Sequence, residues 1–373
     1  MDIIHLILGK ANPSRMNGVN RVVHELATRQ QQTGRSVAVW GFTPNPVHDY
    51  PERNYLTQLF QAEPQPFRVG ASWQAAILDK RETAVVHLHG GFVPRFYGAA
   101  RFLQHHGIPY LVTPHGNYNL AAVRRSGVRK ALYTRLFERP LLAGARAVHC
   151  LGQSELAGLN RLFPHPRPVL IPYGFDAADT PAPAPSQLTF TIGFCGRLDT
   201  DHKGIDRLMD GFAQFHHTVP DSRLWLIGDG PQRAELEAQV QQLRLTNDVT
   251  FWGSRFGEEK TELLQQCSVF VHASRYEGLP VAVLEAAALG IPCLVSEATN
   301  MGRTVRAFDA GYLAETGSAE QVAEGLAVLY RRLCVHRDFT LRDNAHRMVR
   351  EAYNWNRILE QFDWLYRDVW GRA

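Results

Sequence analysis

Short runs of consecutive apolar residues alternate along this chain with stretches in which apolar positions recur every three or four residues. The runs fall at residues 3–8, 36–40, 84–89, 110–113 and 148–151, and again at 190–195, 224–227, 249–252, 269–273 and 293–296. Apolar residues at consecutive positions predict strands covered on both faces, the pattern of a parallel sheet flanked by helices. Alternation with helical stretches predicts a doubly wound α/β fold. Between the two sets lies GFDAADTPAPAPSQ, residues 174–187, rich in proline and alanine and without periodicity, which reads as an exposed linker. The expected division is an N-terminal α/β domain over 1–173, the linker over 174–187, a second α/β domain over 188–350 and a terminal helix over 351–373. That last stretch carries Trp355, Ile358, Leu359, Phe362, Leu365, Tyr366 and Val369 at helical spacing, so it needs a surface to dock on.

Composition changes this picture little. The 373 residues suffice for two domains of ordinary size, and the net charge of +4 is too small to indicate a nucleic-acid binder. Cys150, Cys195, Cys267, Cys293 and Cys334 have neither metal-ligand nor redox spacing and read as free thiols suited to a reducing cytoplasm. The first residues, MDIIHLILG, lack the basic region of a secretory signal, and no apolar run of about 18 residues is present to span a bilayer. The expected location is the cytoplasm.

Candidate chemistry concentrates in the second half. In EGLPVAVLEAAALGIPCLVS, Glu277 precedes a helix that starts around Pro280, and Glu285 lies in its second turn. Backbone N–H groups at Gly278 and Leu279 would point out of the helix N-terminus, a ready site for a diphosphate. Glu285 could then take the hydroxyls of a ribose, and Glu277 those of a sugar beyond the phosphates. A solvated loop glutamate and a helix glutamate paired with an arginine would account for the same two residues. In GFCGRLDTDHKG, Arg197 and Lys203 follow a strand, where open α/β sheets bind ligands, and could neutralise a departing diphosphate. A solvated basic loop is the competing reading. Asp199 and Asp201 could hold a divalent metal, but flanking Arg197, His202 and Lys203 oppose one, so they are read as loop and capping residues; no metal is expected. Gly228 lies in a strand–glycine-turn–helix segment. In the first half, Gly18 opens a helix after the first strand, and His115 follows a strand where it could hydrogen-bond a sugar or serve as an ordinary polar residue. His87 and His89 share a strand face, with no third metal ligand evident, so strand packing is the better reading.

Together these segments resemble the retaining nucleotide-sugar glycosyltransferases of family 4, over essentially the whole chain. The resemblance rests on Glu277 and Glu285 with seven residues between them, on GRLDTDHKG, and on IGDGP, IPYGFD and NGVNRVVHELA in order. It implies the GT-B fold: two Rossmann-like doubly wound domains with an intervening cleft, and a C-terminal helix crossing back to the N-terminal domain. It implies a retaining, metal-independent hexosyltransferase that moves a hexose from a nucleoside-diphosphate sugar, its donor substrate rather than a cofactor, to a saccharide or lipid-linked saccharide. His115, Glu277, Arg197 and Lys203 would be the catalytic set. Gly18, Gly228, Trp252, Gly253, Ser254, Arg255, Gly278, Leu279 and Glu285 would bind the donor. One departure is Asn17-Gly18, where the family pairs two glycines; a second is His202 beside the phosphate lysine. A nucleotide-sugar epimerase and a non-catalytic nucleotide-sugar-binding protein remain as alternatives.

The segment 124–146 is strongly basic, through Arg124, Arg125, Arg129, Lys130, Arg135, Arg139 and Arg146, and Val128, Leu132 and Leu136 repeat at four-residue spacing. Such a helix would suit peripheral contact with anionic lipid at the inner face of a membrane; a surface helix with its stripe in the core is the alternative.

Overall fold

The computed structural model describes residues 1–10, 12, 18–124, 127–183 and 189–371. The chain divides into two compact units, Met1–Gly174 with Trp355–Ala373, and Phe175–Asn354.

The first unit holds a seven-stranded parallel sheet of β1 (Asp2–Leu8), β2 (Ser36–Thr43), β3 (Leu56–Gln61), β4 (Ala84–His89), β5 (Tyr110–Thr113), β6 (Ala147–Cys150) and β7 (Pro168–Leu170), in the order β3-β2-β1-β4-β5-β6-β7. β4, β5 and β6 are buried at every position, as their unbroken apolar runs require. The terminal helix Trp355–Trp370 packs on this unit, burying Ile358, Phe362, Leu365, Tyr366 and Val369 against Ile3, Ile7, Val23, Leu26 and Val85. Each such side chain contributes about 1.5–3 kcal/mol by leaving water, which is what returns the end of the chain to the first unit.

The second unit holds a six-stranded parallel sheet of β8 (Thr191–Cys195), β9 (Arg223–Ile227), β10 (Val249–Gly253), β11 (Val269–His272), β12 (Cys293–Ser296) and β13 (Gly311–Ala314), in the order β10-β9-β8-β11-β12-β13. In both sheets the order reverses beside the first strand, between β1 and β4 and between β8 and β11, which is the Rossmann-like arrangement.

Two expected boundaries move. Residues 175–183 are tied into the second unit rather than running free: Phe175 N–H donates to the Tyr353 carbonyl at 2.8 Å, and the guanidinium of buried Arg342 donates to the carbonyls of Ala182 and Pro183 at 3.0 and 3.2 Å. Proline-rich composition removed periodicity there without removing hydrogen bonding. The rest of the proposed linker, 184–187, lies outside the described residues. The returning helix starts at Trp355, and residues 351–354 stay with the second unit. All five cysteines are free, and Cys150, Cys267 and Cys293 are buried.

Candidate functional site

In the second unit the two strands flanking the switch point deliver the charged residues. The loop after β8 turns into the short helix Thr200–Lys203, which Asp199 caps by accepting from His202 N–H at 3.1 Å. That is the capping role its position suggested. The loop after β11 carries Glu277 to the helix Val281–Ala288. The two loops are fastened together. Arg275 donates to both carboxylate oxygens of Asp206, at 2.7 and 2.5 Å, and its backbone N–H donates to the His202 carbonyl at 2.9 Å. Gly204 closes the short helix at φ 64°; a Cβ there would lie 2.4 Å from the Ala273 carbonyl oxygen, so glycine is what lets the loops approach.

That approach puts Lys203 Nζ in hydrogen-bond contact with Glu277 Oε1. The same oxygen accepts from His272 Nε2 at 3.1 Å and Ser274 Oγ at 3.2 Å, and His202 Nε2 stands 3.6 Å from Oε2. Burial opposes ionisation of Glu277. The Lys203 ammonium and the hydrogen bonds from His202 and His272 outweigh it and hold the carboxyl well below the usual range. Glu277 is therefore a buried, ionised acceptor, not a proton donor. Arg197, at the mouth of the first loop, is exposed and makes no side-chain ion pair among the described residues. Beyond Glu277, the backbone N–H groups of Gly278 and Leu279 donate to nothing among the described residues, while Asn300 holds the Glu277 and Gly278 carbonyls at 3.0 and 2.7 Å. Pro280 sits at the N-cap of the helix, one residue earlier than expected, and Gly290 with Ile291 closes its far end by donating to Ala287 and Ala286. Glu285 falls in the second turn as expected, and in this structure it pairs with Lys260 at 2.7 Å.

The remaining candidates of this unit cluster at the ends of β9 and β10. Gly228 N–H donates to the Gly253 carbonyl at 2.8 Å, and a Cβ at Gly228 would fall 1.9 Å from the Gly196 carbonyl oxygen. Trp252 packs edge-on against Trp225, its indole N–H buried with no partner among the described residues, and Ser254 and Arg255 are exposed beyond it.

In the first unit, Gly18 is the exposed first residue of the helix Gly18–Gln32, with open space where a Cβ would stand. Asn17 and most of the loop before it lie outside the described residues. His115 adopts φ 53° in a turn that Glu155 and Glu138 hold: Glu155 accepts from the N–H of Gly116 and, at 2.9 Å, of Leu151, and Glu138 accepts from Phe92 N–H at 2.8 Å and from the Tyr118 hydroxyl. Burial pushes Glu155 up to about 7. Both ring nitrogens of His115 are engaged within this unit, by His89 and Tyr173, so the imidazole expected to meet a sugar is already fully hydrogen-bonded. The expectation of no third imidazole near His87 and His89 is corrected: His5 is the register partner of His87, and one ring nitrogen from each of the three lies within 4.8 Å of the others.

The basic segment is not one helix. It runs as Leu120–Arg124, Val128–Tyr133, a π-helical turn Thr134–Glu138 and Arg139–Gly144, with Arg125 outside the described residues. Its stripe faces outward: Val128, Leu132 and Leu136 are 87, 56 and 48% exposed, while Tyr133 and Phe137 pack inward on Phe67. Among the described residues no helix is long and apolar enough to cross a membrane.

Comparison with known proteins decides the family. Residues 17–174 match the glycosyl transferase 4-like domain, and residues 182–364 match glycosyl transferases group 1. The chain belongs to the family 4 glycosyltransferases. N-acetyl-alpha-D-glucosaminyl L-malate synthase of Bacillus anthracis is 28% identical over 167 residues, covering 45% of this chain and 42% of that protein. EpsF of Bacillus subtilis (strain 168) is 29% identical over 265 residues, 65% of this chain and 64% of EpsF. Less than two thirds of the length of either relative is thus matched. Among solved structures, Anabaena Alr3699/HepE in complex with UDP superimposes with a TM-score of 0.77 at 18% identity, over 98% of this chain and 100% of that one, which establishes the GT-B fold.

Within this member of the family, sequence reasoning missed Lys260, His272 and Ser274 around the two glutamates, and Glu138 and Glu155 in the turn that carries His115. Ser274 is three residues before Glu277, in reach of a local reading. His272 hides in an apolar strand, and Lys260 is separated from Glu285 by a whole strand.

Proposed function

We propose that this glycosyltransferase is a retaining hexosyltransferase, taking hexose from a nucleoside-diphosphate sugar to a saccharide or lipid-linked saccharide. The observation that carries the reading is the junction of Lys203 with ionised Glu277 at the β8/β11 switch point, next to the unpaired N–H groups of Gly278 and Leu279. A diphosphate would take those amides with Lys203 and Arg197, the cations meeting its charge without a divalent metal. Glu277 would accept hydroxyls of the donor sugar. Glu285 would turn from Lys260 to the ribose, and the base would rest by Gly228, Trp252, Gly253, Ser254 and Arg255. In the transfer, the anomeric carbon–diphosphate bond breaks as the acceptor oxygen bonds the same face, and the acceptor proton passes to the leaving phosphate oxygen. UDP is the first nucleotide to try, because the HepE structure contains it. Calorimetry with UDP, GDP and ADP should show one binding, and Lys203→Ala should weaken it by about 1.5–3 kcal/mol, the worth of charged hydrogen bonds. Binding untouched by Lys203→Ala and Arg197→Ala would remove this site. Product anomers read by NMR test retention.

For the acceptor side, we propose that the outward stripe of Val128, Leu132 and Leu136, with Arg129, Arg135 and Arg139 exposed around it, rests on anionic lipid. Sedimentation with phosphatidylglycerol vesicles should capture the protein in low salt, and Leu132→Ser/Leu136→Ser should abolish capture. Equal capture by neutral phosphatidylcholine vesicles would refute the electrostatic part.

A further inference from the structure

The five histidines under the first sheet form a hydrogen-bond chain whose direction can be derived. The Ile171 carbonyl only accepts, so His149, 2.6 Å away through Nε2, carries its proton there. His149 Nδ1 must then accept, and Thr113 Oγ1 donates to it at 2.7 Å. That spends the Thr113 proton, so the 2.5 Å contact to His87 is Nε2–H donating to oxygen. His87 Nδ1 in turn accepts the Tyr366 hydroxyl at 2.8 Å, and the Tyr366 oxygen accepts from the Gln30 amide at 3.4 Å.

The Gln30 amide is thereby oriented, and its Oε1 accepts from His5 Nε2–H at 2.8 Å. His5 Nδ1 accepts from His89 Nε2 and His89 Nδ1 from His115 Nε2, both at 2.8 Å. The last lone pair, His115 Nδ1, takes the Tyr173 hydroxyl. Every ring carries its proton on Nε2, every Nδ1 accepts, and the path ends two residues from where it begins. Neutrality follows from the surroundings: burial comes first for all five, holding His5 and His149 at about 4, His115 at about 3, and His87 and His89 well below the ordinary value. The metal-like grouping of His5, His87 and His89 has each lone pair already accepting a proton, so an ion would have to break the chain.

We propose that this directed chain is a positioning device for His115, and that Gln30, His5 and His89 hold its Nδ1 as an obligate acceptor. A saccharide hydroxyl can replace the Tyr173 hydroxyl on that lone pair; a phosphate oxygen, which has no proton to give, cannot. The identification of the hydroxyl as a saccharide's rests on the function proposed above; the order of the protons does not. The order breaks most simply at Gln30. With methionine there, His5 loses its acceptor and the segment from His5 to Tyr173 can run in either direction.

The test is two-bond ¹H–¹⁵N correlation on the full chain labelled with ¹⁵N-histidine. At neutral pH the five rings should all show the Nε2–H tautomer, and added Zn²⁺ should leave them unchanged. Any one of them as Nδ1–H or imidazolium, or a zinc-shifted set, overturns the chain. In Gln30→Met, His115 should divide between tautomers, and kcat with UDP-glucose, or whichever donor calorimetry selects, should fall roughly tenfold or more with KM little changed, the scale of a misplaced group. A single His115 tautomer in that variant, or an unchanged kcat, overturns the positioning role. Ordered tautomers in a protein that transfers no sugar would refute the proposed function while leaving the chain standing.

Discussion

Replacing Lys203 with methionine probes the junction of the second unit directly. The stem keeps its volume and loses only the ammonium. Glu277 would then sit buried, its side chain 10% exposed, with the His202, His272 and Ser274 contacts but no adjacent fixed cation. Removing one partner of a buried pair costs about 3–5 kcal/mol, and the surviving hydrogen bonds argue for the lower end, about 3 kcal/mol near neutrality. The pH dependence has a definite sign. In the parent, the Glu277 carboxyl is depressed below its ordinary 4.5. Its contribution is therefore present above that value and lost as pH falls through the folded one. Without the ammonium, burial dominates and the folded value rises. A raised carboxyl contributes stability below 4.5 and loses it as pH climbs through the folded value. Between about pH 4 and pH 7 the gap between parent and variant should be smallest at the acid end and widen toward about 3 kcal/mol by about pH 7. Urea unfolding across that range measures the gap, and hydrogen exchange over residues 265–280 assigns it to the second unit. A gap that stays flat, or narrows as pH rises, would refute Lys203 as the group that keeps Glu277 ionised.

Glu277→Gln should cut turnover severely yet leave nucleoside-diphosphate affinity equal or higher, since the carboxylate no longer competes for Lys203; parallel calorimetry and rate assays check this, and weaker binding would count against it. Glu285→Ala should weaken UDP by roughly tenfold, one hydrogen-bonded contact's worth, without affecting inorganic pyrophosphate; equal losses for both ligands would dismiss a ribose contact. Gly204→Ala should destabilise the second unit by about 2 kcal/mol or more, combining left-handed backbone strain with the Ala273 clash, and a thermal scan showing no loss would mean the loops can part.

What the sequence disclosed follows burial. The ten strands it announced include every one covered on both faces, where apolar residues must be consecutive. The three it concealed are β3, β7 and β13, each at an edge of its sheet. Leu56 at the start of β3 is 64% exposed, β7 is three residues beginning with proline, and β13 opens with Gly311 at φ 152°. An edge strand packs on one neighbour, so its residues are free of the demand that makes a run visible. The apolar face of the terminal helix was legible to the residue, although the start of the helix was not, because its seven periodic apolar positions are the seven it buries.

The site divides along the same physical line, between what is local and what is assembled. Glu277, Gly278 and Leu279 share one loop before a helix, and Arg197 and Lys203 a segment after a strand, so local position was enough to make them candidates. Their meeting depends on β8 and β11 being neighbours, although 73 residues lie between Cys195 at the end of β8 and Val269 at the start of β11, and no local pattern encodes that adjacency. The histidine chain is the extreme case. His5, His87, His89, His115 and His149 come from four strands or strand ends, and each in isolation is an ordinary polar interruption. Register makes them one object: His5 stands opposite His87, and His89 opposite Thr113. A polar residue inside a buried strand must find a partner, so several on neighbouring strands are best explained by one another. That reasoning extends to Gln30 and Tyr366, which arrive on helices from opposite ends of the sequence and supply the two polar groups that join the halves of the chain.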